Sequence, residues 1–155
     1  MLKKMSLVVY TVFANAVVPP ALAADMRAEP APIMVEPALV PACDDPRVLA
    51  EIEDQFEYGA PRVIPAPLAV GEFSGPFERA YFPLGGYRQI ERRYCQGRAV
   101  ISGIEIKDGA PETTVYYVIE YAMGFTSIGW RAEGCFLGYD KWKIYGANCE
   151  SLRRF

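Results

Sequence analysis

The chain is 155 residues long, carries 16 basic and 19 acidic residues for a net charge of −3, and contains no histidine. The acidic balance argues against nucleic acid, whose binding rests on cations that neutralise phosphates. The missing imidazole removes Ser-His-Asp and Cys-His nucleophilic sites, His-ligated zinc and the usual general base near neutral pH. An enzyme built here would depend on carboxylates, Lys, Tyr or Cys.

In chain order, a basic start, Met1-Leu2-Lys3-Lys4, leads into an apolar run from Met5 to Val18 that closes on Pro19-Pro20-Ala21-Leu22-Ala23. That is the layout of a secretory signal peptide, residues 1–23, with cleavage near Ala23. The run is short of the roughly 20 apolar residues a spanning helix needs, so membrane contact is expected only during export. Val40-Pro41-Ala42-Cys43 faintly resembles a lipid-attachment site, but it lies too far from the apolar run, beyond Asp25, Glu29 and Glu36. Cleavage would leave 132 residues and remove two lysines, so that 14 basic residues face 19 acidic ones at a net charge of −5. That length suits one domain with a modest core.

Residues 24–42 hold Pro30, Pro32, Pro37 and Pro41 without periodicity and read as an extended Pro-rich linker. A single α+β domain is expected over 43–155. Residues 44–58 predict its helix. Asp45 can cap it, Pro46 suits the first helical position, and Val48, Leu49, Ile52 and Phe56 share one face. Gly59 and Pro61 are expected to end it. From 60 to 88 five prolines and four glycines predict a long irregular crossing segment, with at most a short edge strand near Leu68 to Phe73. Strands are then expected at Ile90–Ile101, Thr113–Tyr121, Ile128–Leu137 and Lys141–Tyr145, with turns at Asp108-Gly109 and Gly138-Tyr139-Asp140. Short turns make neighbours antiparallel. The fold class is α+β: one amphipathic helix packed on a curved four-stranded antiparallel meander, with a small β-barrel as the alternative.

Cys43, Cys95, Cys135 and Cys149 form an even set with no C-x-x-C, which reads as structural disulfides in an exported chain. Three pairings exist. The short separation favours Cys135 with Cys149, leaving Cys43 to tie the helical region to Cys95.

Aromatic residues crowd 116–145. Most are expected to be core, and Tyr116, Phe125, Trp130, Tyr139 and Trp142 are the candidates for an exposed binding surface. Gly124 to Trp130 joins two expected strands, so it reads as a hairpin connection rather than a phosphate loop. Glu120 and Glu133 fall on expected neighbour strands. Buried together they would form an acid–base pair; exposed or paired with Arg131, Arg98 or Lys143 they would not.

Arg93-Tyr94-Cys95, Val115-Tyr116-Tyr117-Val118-Ile119-Glu120, Gly124-Phe125, Gly129-Trp130, Cys135, Gly138-Tyr139-Asp140, Trp142 and Cys149 together resemble a group of small exported proteins of alphaproteobacteria. The resemblance spans residues 90–152. It implies a periplasmic setting and brings no catalytic residue with it. A weaker similarity, through Tyr94-Cys95 at the start of a β-rich, disulfide-bearing domain, is to periplasmic lysozyme inhibitors, although this chain lacks their serine–glycine loop. The expected function is an exported non-enzymatic binding or structural module of the periplasm or cell envelope, with no cofactor and no metal. Its partner is expected to be a protein or envelope component. An acidic inhibitor of a lysozyme-like enzyme and a carboxylate-based hydrolase are the alternatives.

Overall fold

The computed structural model describes residues 37–103 and 112–155. The signal segment, residues 24–36 of the linker and the Asp108-Gly109 turn lie outside the described residues.

Helix α1 spans Pro46–Val63. Asp45 caps it: one carboxylate oxygen accepts the Arg47 N–H at 2.9 Å, and the carboxylate also pairs with the Arg47 guanidinium. That guanidinium first, and the N–H second, hold the Asp45 carboxyl down at about 2. The helix does not stop at Gly59 and Pro61, as the sequence suggested. Gly59 has open space around it, and Pro61 removes a single bond in the last turn. Closure comes at Ile64, whose N–H reaches the Ala60 carbonyl at 2.9 Å.

Four antiparallel strands follow in the order β1-β2-β3-β4, an open sheet rather than a barrel: β1 Ala69–Phe82, β2 Arg92–Ser102, β3 Glu112–Tyr121 and β4 Trp130–Phe136. The α+β meander is therefore present, but its membership differs at both ends. The segment expected to be irregular supplies the longest strand, β1. Its breakers sit where the pairing with β2 slips: Gly71 between Val70 and Glu72, and Gly75-Pro76 between Ser74 and Phe77. An edge strand tolerates both, since bulges absorb the extra residues and Pro76 needs no ladder partner. At the other end, Lys141–Tyr145 is not a strand. The Asp140 carboxylate accepts the N–H groups of Ile144 at 2.9 Å and Tyr145 at 3.0 Å, which curls this segment into a turn.

The apolar stripe of α1 covers one face of the sheet. Val48, Ile52 and Phe56 bury against Val115, Tyr117, Ile119, Ala132 and Phe136, with the Phe56 and Phe136 ring centroids 4.3 Å apart. Gly134 makes the close approach possible, because a Cβ there would collide with Cγ2 of Ile52. The opposite face carries a smaller core of Val118, Cys135, Cys149 and Leu152, closed by the C-terminal segment and the short helix α2, Glu150–Arg153. Cys43–Cys95 and Cys135–Cys149 are the two disulfides. They place the chain in a non-reducing, exported environment. No described helix is long and apolar enough to cross a membrane.

The segment before α1 is fastened by side chains the sequence did not single out. Buried Glu91 accepts the N–H groups of Leu39 at 2.9 Å and Val40 at 3.1 Å, and the Tyr81 hydroxyl at 3.0 Å. The Tyr117 hydroxyl donates to the Cys43 carbonyl at 2.8 Å, and burial pushes its ionisation far upward.

Candidate functional site

Just beyond β4 the backbone is still held to β3. The Leu137 N–H donates to the Thr114 carbonyl at 2.9 Å and the Thr113 hydroxyl to the Leu137 carbonyl at 2.7 Å. The chain then reverses, with the Tyr139 N–H on the Phe136 carbonyl at 3.0 Å, which stands the Tyr139 ring edge-on against Phe56 at 5.6 Å. The Asp140 turn brings Tyr145 over α1. There its hydroxyl accepts from the Gln55 amide at 2.9 Å and donates to Glu133 at 3.4 Å. The same Gln55 uses its carbonyl oxygen to accept the Gly134 N–H at 2.8 Å. The Cys135–Cys149 bridge closes the loop from behind.

These constraints hold open a groove of about 270 Å³ between the second half of α1 and the 137–146 loop. Phe56, Tyr58 and Val63 form the helix wall; Tyr139, Trp142 and Tyr145 form the loop wall. Trp142 and Ile144 at its lip are about 70% exposed, at 69% and 70%. Single exposed apolar residues are ordinary, but these two line one apolar concavity together. Burial raises the Tyr145 phenol; Gln55 opposes this, and the negative Glu133 and Asp140 reinforce it. Burial alone raises Tyr139. Both rings therefore stay neutral at physiological pH and offer hydrogen bonds rather than a phenolate. Chemically the groove suits recognition of an apolar or aromatic group with a polar end.

The five aromatic candidates do not share one surface. Tyr139 and Trp142 meet in this groove. Phe125 and Trp130 lie at the opposite end of β4, where Trp130 is half-buried under Arg47 and Phe125 is exposed. Tyr116 sits on the other sheet face opposite Cys135, half-buried, with Arg79 above its ring at 5.4 Å. Of the groove residues missed from sequence, Val63 lies beyond the expected helix stop and Ile144 on the expected last strand, while Tyr58 ends the expected helix outside its apolar stripe.

Glu120 and Glu133 do not face each other. The β3–β4 register sets Glu120 opposite Arg131 and Glu133 opposite Val118, and Glu120 is ion-paired with Arg92. Among the described residues, no group of Cys, Asp and Glu is placed to hold a metal ion.

Compared with known proteins, the chain matches no family model, no curated protein and no solved structure.

Proposed function

We propose that the protein is an exported, non-enzymatic binding module of the bacterial periplasm or envelope. On this reading residues 1–23 are removed as a signal peptide, and the disulfide-locked domain binds a protein or envelope component through the groove between α1 and the 137–146 loop. The observation that carries the reading is the groove itself. It is an apolar concavity with exposed Trp142 and Ile144 at its lip, braced by hydrogen bonds that run from Asp140, Gln55 and Tyr145. Such preorganisation lowers the ordering cost of binding.

The test is paired affinity capture from periplasm with the wild-type protein and with Trp142→Ala. Trp142 is exposed, so its loss leaves the fold intact. Truncating an anchoring aromatic of this kind costs about 2 kcal/mol or more, about thirtyfold in affinity. A partner retained by wild type and lost by Trp142→Ala supports the reading; equal recovery on both refutes the groove as the binding surface. N-terminal sequencing of the recovered protein is expected to begin at Ala24.

A further inference from the structure

The end of the sheet opposite the groove presents a second apolar surface, and we propose that it docks the protein onto an anionic lipid surface. The β1–β2 loop (residues 83–91) and the β3–β4 loop (residues 122–129) leave the same end of the meander, since Arg92 pairs with both Phe82 and Glu120 and Tyr121 pairs with Trp130. The Tyr121 N–H donates to the Glu91 carbonyl at 2.9 Å and joins the two loop bases. From these loops Phe125, Tyr87 and Ile128 project at 92%, 90% and 75% exposure, with Leu84 and Met123 partly exposed beside them.

Two observations favour a lipid surface over a protein partner, and a third marks these loops as a contact site. First, Phe125 and Ile128 are loop tips with most of their surface exposed, and exposed aromatic and aliphatic tips suit insertion at headgroup depth. Second, the charge is segregated. A chain with 19 acidic residues has no exposed carboxylate in either loop, and the loops' one cation is Arg88. Glu91 is buried and Glu120 is paired with Arg92. Behind Tyr87 a second concavity, lined by Arg88 among Phe82, Tyr94 and Phe155, with Arg92 already paired to Glu120, offers one cation to an anionic headgroup. Repulsion from the more distant acids is screened over roughly 8–10 Å at physiological salt.

Third, the β3–β4 loop holds its tips out at a conformational cost. Ala122, Thr126 and Ser127 all adopt positive φ, at 62°, 59° and 62°. Non-glycine residues in that region are strained, and such strain collects at ligand-contact loops. The tight Gly85–Arg88 bridge likewise fixes Tyr87 outward. Contrary to the expectation that membrane contact ends with export, the folded domain would then rest on the bilayer with its groove opening away from it.

The experiment is co-sedimentation of the disulfide-intact protein with vesicles of phosphatidylethanolamine plus phosphatidylglycerol, run beside phosphatidylcholine vesicles. Wild type is expected to partition onto the anionic vesicles, more weakly as salt rises. Phe125→Ser combined with Ile128→Ser lowers the partition coefficient about a hundredfold, roughly tenfold for each side chain withdrawn from the interface. Arg88→Glu lowers binding to anionic vesicles roughly tenfold and leaves phosphatidylcholine binding unchanged. All three positions are exposed, so an unchanged urea midpoint confirms folded variants. The proposal is overturned if wild type does not sediment, or if the double variant sediments equally, which would assign binding to another segment such as a retained leader. A wild-type dimer in sedimentation velocity that the double variant abolishes also overturns it, in favour of self-association. The groove uses other residues, so either reading survives failure of the other.

Discussion

Replacing Gly134 by alanine adds one methyl group at the point where α1 crosses β4. Gly134 faces Tyr117 across the β3–β4 ladder, and its new Cβ would collide with Cγ2 of Ile52, a side chain with no solvent exposure. Neither partner can yield cheaply. The strand is held by β3 on one side and by the Gln55 carbonyl on the other, while Val48 and Phe56 hold the helix one turn either side of Ile52. Overpacking of this kind costs about 1–3 kcal/mol. Ile52→Ala by itself costs about 2–5 kcal/mol through the cavity it leaves. Combined, the two changes should not add. Ile52→Ala removes the Cγ2 that the alanine methyl meets, so the added methyl fills part of the cavity, and the double variant should be more stable than the sum by about 1 kcal/mol or more. Ile52→Val is the control: it keeps both branches at Cβ and should leave the cost of Gly134→Ala nearly unchanged. Urea unfolding of the four proteins under non-reducing conditions measures the cycle. Strict additivity would show that the helix does not rest on Gly134 and would refute this account of the packing.

The two disulfides should differ in both size and kind of effect. Closing 52 residues against 14, they are worth about 4 and about 3 kcal/mol on the chain-entropy estimate, so Cys43→Ala with Cys95→Ala should lower stability more than Cys135→Ala with Cys149→Ala. The second pair backs the groove loop, so its removal should weaken partner capture beyond its effect on unfolding; equal capture at matched folded fraction would contradict this. Glu51→Gln should raise Tm at pH 7. Burial lifts the Glu51 carboxyl above its usual 4.5, with the Ala132 N–H and Arg131 opposing. A raised carboxyl contributes stability that is full below its unfolded value and is lost as the pH rises through its folded value. The amide escapes that loss, so the gain should vanish near about pH 4. A lower Tm at pH 7 would mean that the charge itself holds the strand.

What the sequence disclosed depended on whether a residue's local preference agreed with its tertiary setting. The helix start was legible because Asp45 and Pro46 act within one turn of themselves. β3 was legible because Val115, Tyr117 and Ile119 alternate under a helix. β1 was not, because Gly71, Gly75 and Pro76 speak against a strand locally, while an edge strand with three slips in its pairing accommodates them. Lys141–Tyr145 misled in the opposite direction: the alternation of Lys141, Trp142, Lys143 and Ile144 suggests a strand, but Asp140 takes the N–H groups a ladder would need. The groove fell between these two misreadings. Its helix wall, from Phe56 to Val63, runs across the apparent stop at Gly59, and its loop wall is the apparent last strand. Glu91 gave no signal at all, since the backbone N–H groups it holds are 51 and 52 residues away in the chain.

The same helix that builds the core also decides where binding can occur. An open sheet has two edges, and each is a template for unwanted pairing. Along β4, Glu51 lies against the Ala132 N–H and Gln55 accepts that of Gly134; the four-residue step on the helix, about 6 Å, nearly matches the two-residue step on the strand, about 7 Å. At the far edge Glu57 accepts the Val70 N–H at 3.0 Å, and Pro76 with its neighbouring slips interrupts the remainder of β1. One helix thus occupies donors on both edges while its apolar stripe covers one face, and the C-terminal segment covers the other. Recognition by strand addition or across an open sheet face is therefore disfavoured, and the large apolar surface still exposed is displaced to the two ends of the meander. One end is concave, neutral and braced by Asp140 and Gln55. The other is a pair of exposed loops, one of them strained, with Arg88 as their one cation. That division follows from how the helix spends its polar side chains, and it makes the two proposed binding surfaces separable by mutation.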